Sequence, residues 1–439
     1  MSDSAEQIPL NQVCYITLNQ QMPWGLETYR GLGGYSAWER IIKERIPQET
    51  ILEQIKASGL RGRGGAAFNT GMKWGFMPRQ APMQKYVVCN SDESEPGTCK
   101  DRDILRFNPH AVVEGLAIAC YTMGATVGYN YIRGEFMDEP FSRFEAALKE
   151  AYAEGLLGKD IMGSGIDVDV FAHLGAGAYI CGEESALLNS LEGKKGFPRY
   201  KPPFPAAKGL YGLPTTVNNT ETFASVPIII RNGPEWFAAM GLKGAEGTKI
   251  FSVSGHVERP GNFEVPLGTP FAKLLEMAGG VRGGRRLKAV IPGGSSVPVL
   301  PGEVMMELNM DYDSLRKAGS MLGSGAVVVI DETMCMVRML ERIARFYYAE
   351  SCGQCTPCRE GTGWLYRMVS RIEHGLGQEQ DLARLDEVAS KMEGRTICAL
   401  ADAAAMPVHA FIKHYRHEFE HHVVHGTCAV GRAAPLEAA

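Results

Sequence analysis

The chain has 439 residues, of which 45% are hydrophobic and 22% charged, and its formal net charge is −5. This composition is typical of soluble globular proteins, and the length predicts roughly two to four domains. The negative net charge excludes a global basic field that would draw the chain to nucleic acid.

The N-terminal stretch MSDSAEQIPL lacks the basic and apolar regions of a secretory signal. We therefore expect the 11 cysteines to serve metal binding, redox chemistry or burial rather than a disulfide framework. The longest uncharged run, 115–132, contains glycines, threonines and an asparagine. It is interpreted as a buried helix followed by a strand, not as a membrane span.

Residues 1–60 are predicted to form a helical lead-in, in which Ile51, Leu52 and Ile55 share one helix face. A glycine loop follows at 61–71. Strand-like and helix-like segments then alternate, with strands at 85–90, 126–134 and 167–173 and helices at 110–124, 141–158, 180–193 and 218–230. This alternation predicts an α/β domain over 61–245 with a mostly parallel sheet.

The pattern changes after residue 245. We predict a small α+β domain of ubiquitin-like shape over 246–332. The sequence there indicates two strands joined by an Arg-Pro-Gly-Asn turn, a short helix at 270–280 and a strand at 287–294.

A four-helix bundle is predicted over 333–439. Four stretches there are amphipathic with a helical period: 336–348, 364–372, 382–392 and 408–419. The six histidines of 409–425 are interpreted as a solvated helix end rather than a metal site.

Three cysteines in the stretch ESCGQCTPCREG, Cys352, Cys355 and Cys358, are followed by a distant fourth, Cys398. Zinc sites usually draw two thiolates from each of two C-x2-C pairs. Three thiolates from one turn and one from afar suit the corners of a [4Fe–4S] cube, so we predict an iron–sulfur cluster, with zinc as the alternative. The other cysteines are expected to be buried or without assigned chemistry.

The segment 59–76 contains Gly62-x-Gly64-x-x-Ala67, which formally matches a dinucleotide fingerprint. The preceding segment is helical where the fingerprint requires a strand, so a flexible turn is an open alternative. Glycine backbone, nearby basic residues and aromatic faces nevertheless favour a nucleotide or flavin. Polar segments at 89–103, 173–193 and 201–222 supply carboxylates, a second glycine turn and the paired amides Asn218 and Asn219.

The motifs GLRGRGGAAF, KDRDIL, GAGAYICGEESAL, KPPFP, NNTET and ESCGQCTPCREG occur in the order of a known family. Across nearly the whole chain, the sequence resembles the FMN-bearing, NADH-oxidising subunit of respiratory complex I, also called the 51 kDa or F subunit. The resemblance implies α/β, α+β and all-α parts: a Rossmann-like FMN/NADH domain, a ubiquitin-like, soluble-ligand-binding β-grasp domain, and a C-terminal four-helix bundle with the cluster.

The resemblance also implies roles for individual residues. The dinucleotide and adenine would be bound by Gly62, Arg63, Gly64, Gly65, Ala66, Ala67, Phe68, Gly71, Phe76, Lys201 and Phe204. FMN would be lined by Lys73, Asn90, Asp92, Gly182, Glu183, Val217, Asn218, Asn219 and Thr220. Glu95 and Glu184 would contact the NADH ribose or carboxamide, with Tyr179 beside the flavin. Cys352, Cys355, Cys358 and Cys398 would ligate the [4Fe–4S] cluster.

The sequence departs from the family pattern at Ala67, Asn69, Ser185 and Thr220. Of these, Ala67 bears most on the loop, because a methyl group there costs little at negative φ and more at positive φ.

The expected reaction is hydride transfer from NADH to FMN, followed by single-electron transfer to the cluster and onward to quinone. Expected partners are the thioredoxin-like [2Fe–2S] subunit and the large multi-cluster iron–sulfur subunit of complex I. We expect the chain to be peripheral, on the cytoplasmic side of the bacterial inner membrane or the matrix side in mitochondria, and to reach the membrane only through the complex.

Two alternatives remain open. One is the diaphorase subunit of an NAD-linked hydrogenase or formate dehydrogenase; such chains often carry extra ferredoxin-like or thioredoxin-like segments, and we expect none here. The other is a non-enzymatic zinc-thiolate scaffold.

Overall fold

The computed structural model describes residues 8–431. The chain divides into two compact units. The first comprises residues 8–94, Thr98–Ser252 and Asn262–Thr269, and the second comprises Glu95–Gly97, Val253–Gly261 and residues 270–431.

The first unit contains helices and strands in alternation over most of its length. Its helices are α1 (Leu26–Gly31), α2 (Ser36–Lys43), α3 (Gln48–Ala57), α4 (Thr70–Gly75), α5 (Lys100–Phe107), α6 (Pro109–Met123), α7 (Glu139–Ala153), α8 (Glu184–Leu191), α9 (Pro205–Lys208), α10 (Thr220–Asn232) and α11 (Pro234–Ala238). Its strands are β1 (Tyr86–Ser91), β2 (Val127–Ile132), β3 (Asp169–Leu174), β4 (Thr215–Asn219), β5 (Gly241–Leu242) and β6 (Ala245–Glu246).

The main sheet of this unit has the strand order β3-β2-β1-β4. Tyr86 of β1 pairs with Val127 on one side and Thr215 on the other, and every pairing in this sheet is parallel. The predicted parallel sheet is thus confirmed. The sequence interpretation missed β4, because its five residues, Thr-Thr-Val-Asn-Asn, show neither a long apolar run nor a clear alternation.

Helix α6 forms where the sequence has its longest uncharged run. Pro109 occupies the first turn, and Gly124 ends the helix in a left-handed conformation with φ 67°. Almost every residue of α6 is buried, because the helix packs inside the unit. The interpretation of this run as a buried helix followed by a strand is confirmed. Across residues 8–431, no helix has the length and apolar character that a membrane crossing requires.

The second unit combines a sheet with helices. The sheet has the strand order β10-β9-β11-β7-β8. Its strands are β7 (Thr248–Gly255), β8 (Gly261–Pro266), β9 (Leu287–Ile291), β10 (Leu300–Pro301) and β11 (Ala326–Asp331). The first residues of β7 and the last residues of β8 are assigned to the first unit. Strand β9 pairs antiparallel with both β10 and β11. Three short helices lie along this part of the chain: α12 (Phe271–Met277), α13 (Gly302–Met306) and α14 (Tyr312–Lys317).

Four longer helices follow: α15 (Met336–Glu350), α16 (Thr356–Glu373), α17 (Asp381–Met392) and α18 (Leu400–His425). Their apolar stripes face one another, as the periodic stretches predicted. Helix α16 begins eight residues earlier than predicted, so Cys358 lies in its first turn rather than in a loop. The apolar period starts only at residue 364, which is why the earlier turn was not recognised.

Candidate functional site

The glycine loop is closed by its own backbone. The Gly62 N–H donates to the Phe68 carbonyl at 2.8 Å, and Arg61 and Asn69 form an isolated antiparallel bridge. Asn69 also caps α4, because its Oδ1 accepts from the Met72 N–H at 2.9 Å. Ala67 adopts φ 54°, in the left-handed region. The departure at Ala67 therefore falls at a position where a methyl group costs energy.

Arg63 anchors the loop through its side chain. The guanidinium is buried, and Nη2 donates to the Glu246 carbonyl at 2.8 Å. Its backbone N–H donates to Thr222 Oγ1 at 2.9 Å. The loop thus has a fixed base, and a Cβ added at Gly64 would lie only 3.1 Å from Asn219 Cβ. The absence of a side chain at Gly64 lets the loop approach the carboxyl end of β4 closely.

Paired amides lie at the carboxyl ends of the parallel strands. Asn90 Nδ2 donates to the Gly182 carbonyl at 2.8 Å, which joins β1 to the second glycine turn. Asn218 Oδ1 accepts from the indole N–H of Trp74 at 3.0 Å. Asn219 caps α10, with its Oδ1 3.0 Å from the Glu221 nitrogen. The ligand-binding edge of a parallel sheet is its carboxyl edge, and these amides occupy it.

Two lysines and two glutamates form a chain of ion pairs beside this edge. Lys73 Nζ lies 3.1 Å from Glu184 Oε2, and Lys201 Nζ lies 2.8 Å from Glu184 Oε1 and 3.0 Å from Glu183 Oε1. Glu183 also caps α8, accepting from the backbone nitrogens of Ser185 and Ala186. Partial burial opposes ionisation of Glu184, but the two ammonium groups outweigh it and lower its pKa.

A buried ionic network that the sequence interpretation missed lies beside Asn219. Lys100 Nζ is 2.8 Å from Asp101 Oδ1, 2.9 Å from Glu221 Oε2 and 3.1 Å from Asn219 Oδ1. Lys249 Nζ is 3.2 Å from Glu221 Oε2. Burial opposes the charge on Glu221, but Lys100 and Lys249 overcome it and lower its pKa to about 2. No local pattern links residues so far apart in the chain, so sequence reasoning had no signal for this network.

The aromatic residues expected at the adenine are exposed. Phe68, Phe76 and Phe204 expose 47%, 60% and 60% of their surface, and the first two rings have centroids 6.1 Å apart. Exposed apolar rings of this kind leave faces free for stacking.

The remaining predicted residues of the first unit fall on the same loops and strands. Gly65 and Ala66 belong to the glycine loop, Gly71 to α4 and Val217 to β4, Asp92 follows β1, Tyr179 and Gly182 lie in the turn before α8, and Thr220 starts α10. Glu95, by contrast, belongs to the second unit, where its Oε1 accepts from the Ser296 N–H at 2.8 Å.

The cysteine quartet lies within the second unit. Cys355 is the residue before α16, and Cys358 is in its first turn. The Ile397 N–H donates to Cys355 Sγ at 3.4 Å, which brings the segment of Cys398 to the cluster loop. Ser351 Oγ lies 3.3 Å from Cys358 Sγ. Thiols with N–H and O–H donors on sulfur fit the [4Fe–4S] group that the spacing predicts.

The edge of the sheet likewise fits the FMN that the resemblance implies. Two glycine turns would offer backbone donors to such a group, the amides would offer hydrogen-bonding groups, and Lys73 would offer a positive charge. A Cβ at Gly182 would lie 3.3 Å from the Asp92 carbonyl oxygen, so this glycine too allows a close approach of backbone segments.

Comparison with known protein families assigns three parts of the chain. Residues 55–228 match the Nuo51 FMN-binding domain. Residues 338–422 match the NADH-ubiquinone oxidoreductase-F iron-sulfur binding region, and residues 250–300 match the SLBB domain.

Curated relatives resemble the chain over most of its length. The NADH-quinone oxidoreductase F subunit of Rickettsia bellii (strain OSU 85-389) is 52% identical over 408 residues, which are 92% of this chain and 97% of that protein. The corresponding F subunit of Rickettsia felis is 56% identical over 378 residues, which are 86% of this chain and 89% of that protein.

Solved structures show the same architecture. The NAD+-reducing [NiFe]-hydrogenase in its H2-reduced state aligns with a TM-score of 0.79 at 36% identity, covering 86% of this chain and 63% of the hydrogenase chain. The air-oxidised state aligns with a TM-score of 0.80 at 33% identity, covering 92% of this chain and 66% of the hydrogenase chain. This chain thus spans somewhat less than two thirds of those hydrogenase chains.

Proposed function

Because this chain belongs to the family of NADH-quinone oxidoreductase F subunits, we propose that its first unit binds FMN and NADH at the carboxyl edge of the parallel sheet. The chain is an NADH dehydrogenase subunit with FMN and a [4Fe–4S] cluster as cofactors and NADH as substrate. Bound FMN converts a two-electron hydride donor into single electrons, which an iron–sulfur cluster can carry onward.

The convergence of Lys73, Glu184 and Lys201 at the edge that carries the strand-end amides supports the proposed location most strongly. These side chains come from α4, α8 and the segment before α9. In the proposed site, Lys73 and the amides of Asn90 and Asn218 hold FMN, and the glycine loop with Phe68, Phe76 and Phe204 holds the dinucleotide. Glu184 competes with anionic groups for both lysines, so the carboxylate limits how tightly phosphates bind.

Four cysteines of the second unit are proposed as the cluster ligands. Cys352, Cys355 and Cys358 come from one short segment and Cys398 from a second segment, which the Ile397 hydrogen bond joins to the first. We further propose a Rossmann-like first domain over 61–245, a ubiquitin-like β-grasp domain over 246–332 and a four-helix bundle over 333–439 as the carriers of these functions.

The F subunit assembles with other subunits of an NADH-quinone oxidoreductase complex. We propose the thioredoxin-like [2Fe–2S] subunit and the large multi-cluster iron–sulfur subunit as its neighbours, and the cytoplasmic side of the inner membrane as its location. The hydrogenase diaphorase remains the second candidate because of the structural similarity. The higher identity to the F subunits, 52–56% against 33–36%, favours the complex I function.

Cofactor analysis of the purified full-length chain tests this proposal. We expect flavin and cluster iron in a ratio of about one to four, and reduction of the flavin absorbance on addition of NADH. A preparation that contains neither flavin nor iron, and takes up neither on reconstitution, would overturn the proposal.

A further inference from the structure

Two cysteines and a histidine outside the cluster quartet meet within the second unit. Cys335 immediately precedes α15, His422 lies in the last turn of α18, and Cys428 follows the end of that helix. The Sγ atoms of Cys335 and Cys428 and a ring nitrogen of His422 all lie within 4.8 Å of one another. Cys335 Sγ and His422 Nε2 are separated by 3.3 Å.

A carboxylate lies beside this group. Glu373 ends α16, and its Oε2 lies 3.7 Å from Cys335 Sγ and 3.9 Å from His422 Nε2. Its other oxygen, Oε1, accepts from Arg338 Nε at 2.8 Å. The arginine fixes the orientation of the carboxylate and leaves Oε2 directed at the sulfur and the imidazole, as hydrogen-bonding groups behind the ligands do in metal sites.

The separation of Cys335 Sγ from His422 Nε2 suits a tetrahedral zinc site. With Zn–S near 2.3 Å and Zn–N near 2.0–2.2 Å, ligand atoms around one ion lie about 3.3–3.8 Å apart. The two atoms are 3.3 Å apart, and Cys428 Sγ lies within 4.8 Å of Cys335 Sγ and of a ring nitrogen of His422.

The surroundings also favour a cation. Cys335 and His422 are almost fully buried, and the Glu373 side chain is 8% exposed. Two thiols and an imidazole gathered in a largely buried group are ligands of the type that zinc takes in proteins.

We propose that Cys335, His422 and Cys428 bind one Zn²⁺ ion, separate from the iron–sulfur cluster. On binding, both thiols release their protons to solvent and ligate as thiolates, and His422 ligates as the neutral imidazole. Two thiolates and an imidazole are ligand types that zinc prefers in proteins.

The site connects the start of α15 with the last turn of α18 and the segment after it. The loop with Cys352 and Cys355 lies at the other ends of α15 and α16, about 20 Å away along a helix of 15 residues. Zinc would therefore stabilise the helices that carry the cluster ligands without contacting the cluster.

Metal analysis of the full-length chain, produced with zinc in the medium, tests the proposal. We expect about one zinc per chain in the wild type and at least a tenfold lower zinc content in Cys335→Ser and Cys428→Ser, with flavin and iron retained. The matched control is His417→Gln, because His417 lies on the same helix with a 75% exposed side chain. We expect this variant to keep its zinc.

Cobalt substitution provides a second measurement that does not depend on activity. Co²⁺ in a dithiolate site gives a sulfur-to-metal charge-transfer band, which we expect in the wild type and not in Cys428→Ser. Cys428 is partly exposed and lies beyond the helix end, so its replacement keeps the test valid even if Cys335→Ser fails to fold.

The zinc proposal would be overturned by any of three results. These are wild-type protein without zinc, equal zinc content in the wild type and both serine variants, or a Cys335–Cys428 disulfide detected by thiol titration. Flavin and iron are counted separately, so the zinc proposal and the proposed NADH dehydrogenase function can fail independently.

Discussion

Lys73 Nζ lies 3.1 Å from Glu184 Oε2 and thereby joins the helix after the glycine loop to the helix after the second glycine turn. The same carboxylate also holds Lys201. One glutamate thus pairs with two lysines at the carboxyl edge of the sheet.

The first prediction concerns the positive charge of Lys73. We expect Lys73→Met to weaken FMN binding by roughly 10- to 100-fold, because a charged hydrogen bond contributes about 1.5–3 kcal/mol. Flavin retained per chain after gel filtration measures the effect. Lys43→Met is the control, since the Lys43 side chain is exposed and pairs with Glu39, outside the proposed site. Unchanged flavin content in Lys73→Met would show that Lys73 does not hold FMN.

The second prediction separates the two cofactors. We expect Cys358→Ser to lose the [4Fe–4S] signal in electron paramagnetic resonance, because a serine hydroxyl is a poor substitute for a thiolate ligand. FMN should stay bound, and NADH-dependent ferricyanide reduction should persist in part, because the sites belong to different units. Cys120→Ser replaces a buried cysteine of the first unit and should keep the cluster. Complete loss of flavin in Cys358→Ser would contradict this separation.

The third prediction uses the left-handed conformation of Ala67. At a φ of 54°, a residue other than glycine is strained by about 1–2 kcal/mol. Glycine at this position would relieve the strain, but it would also raise the entropy of the unfolded chain, which offsets part of the gain in stability. We expect Ala67→Gly to raise the free energy of unfolding by about 0.5–1 kcal/mol. Urea denaturation measures the change. Ala66→Gly, at a neighbour outside the left-handed region, should lower it; equal effects of both substitutions would refute the explanation.

The fourth prediction concerns the buried carboxylate of Glu221. Its removal in Glu221→Gln leaves Lys100 and Lys249 undercompensated, so we expect a loss of roughly 3–5 kcal/mol in unfolding free energy at pH 7. Urea denaturation is again the measurement, with Glu154→Gln, which removes an exposed ion pair, as a control expected to lose less than about 1 kcal/mol.

The pH dependence of Glu221 has a defined sign. The pKa of Glu221 is lowered from 4.5 to about 2 in the folded state. The ionised carboxylate therefore adds to the free energy of unfolding in full above pH 4.5, and this contribution is lost as the pH falls toward 2. The stability difference between the wild type and Glu221→Gln should therefore narrow over this acid range. A difference that stays constant from pH 5 to pH 3 would contradict the assignment.

Much of the fold followed from local patterns. The apolar period of α15 and the alternation of strands and helices around β1, β2 and β3 were predicted correctly, because each depends on neighbouring residues. Strand β4 was missed because only its pairing with β1 makes it a strand. The histidine-rich helix end was predicted to face solvent. This prediction is wrong for His422, which is buried against Cys335 and Glu373.

The sequence by itself determined the parts of this protein that are encoded over short distances. The spacing of Cys352, Cys355 and Cys358, with the distant Cys398, predicts an iron–sulfur cluster, because ligands that come from one turn leave their pattern in one segment. Only the tertiary structure decided that Glu221 joins Lys100 to Lys249, and that Cys335 meets a histidine 87 positions away. Packing creates such contacts between distant segments, so no segment carries their pattern alone.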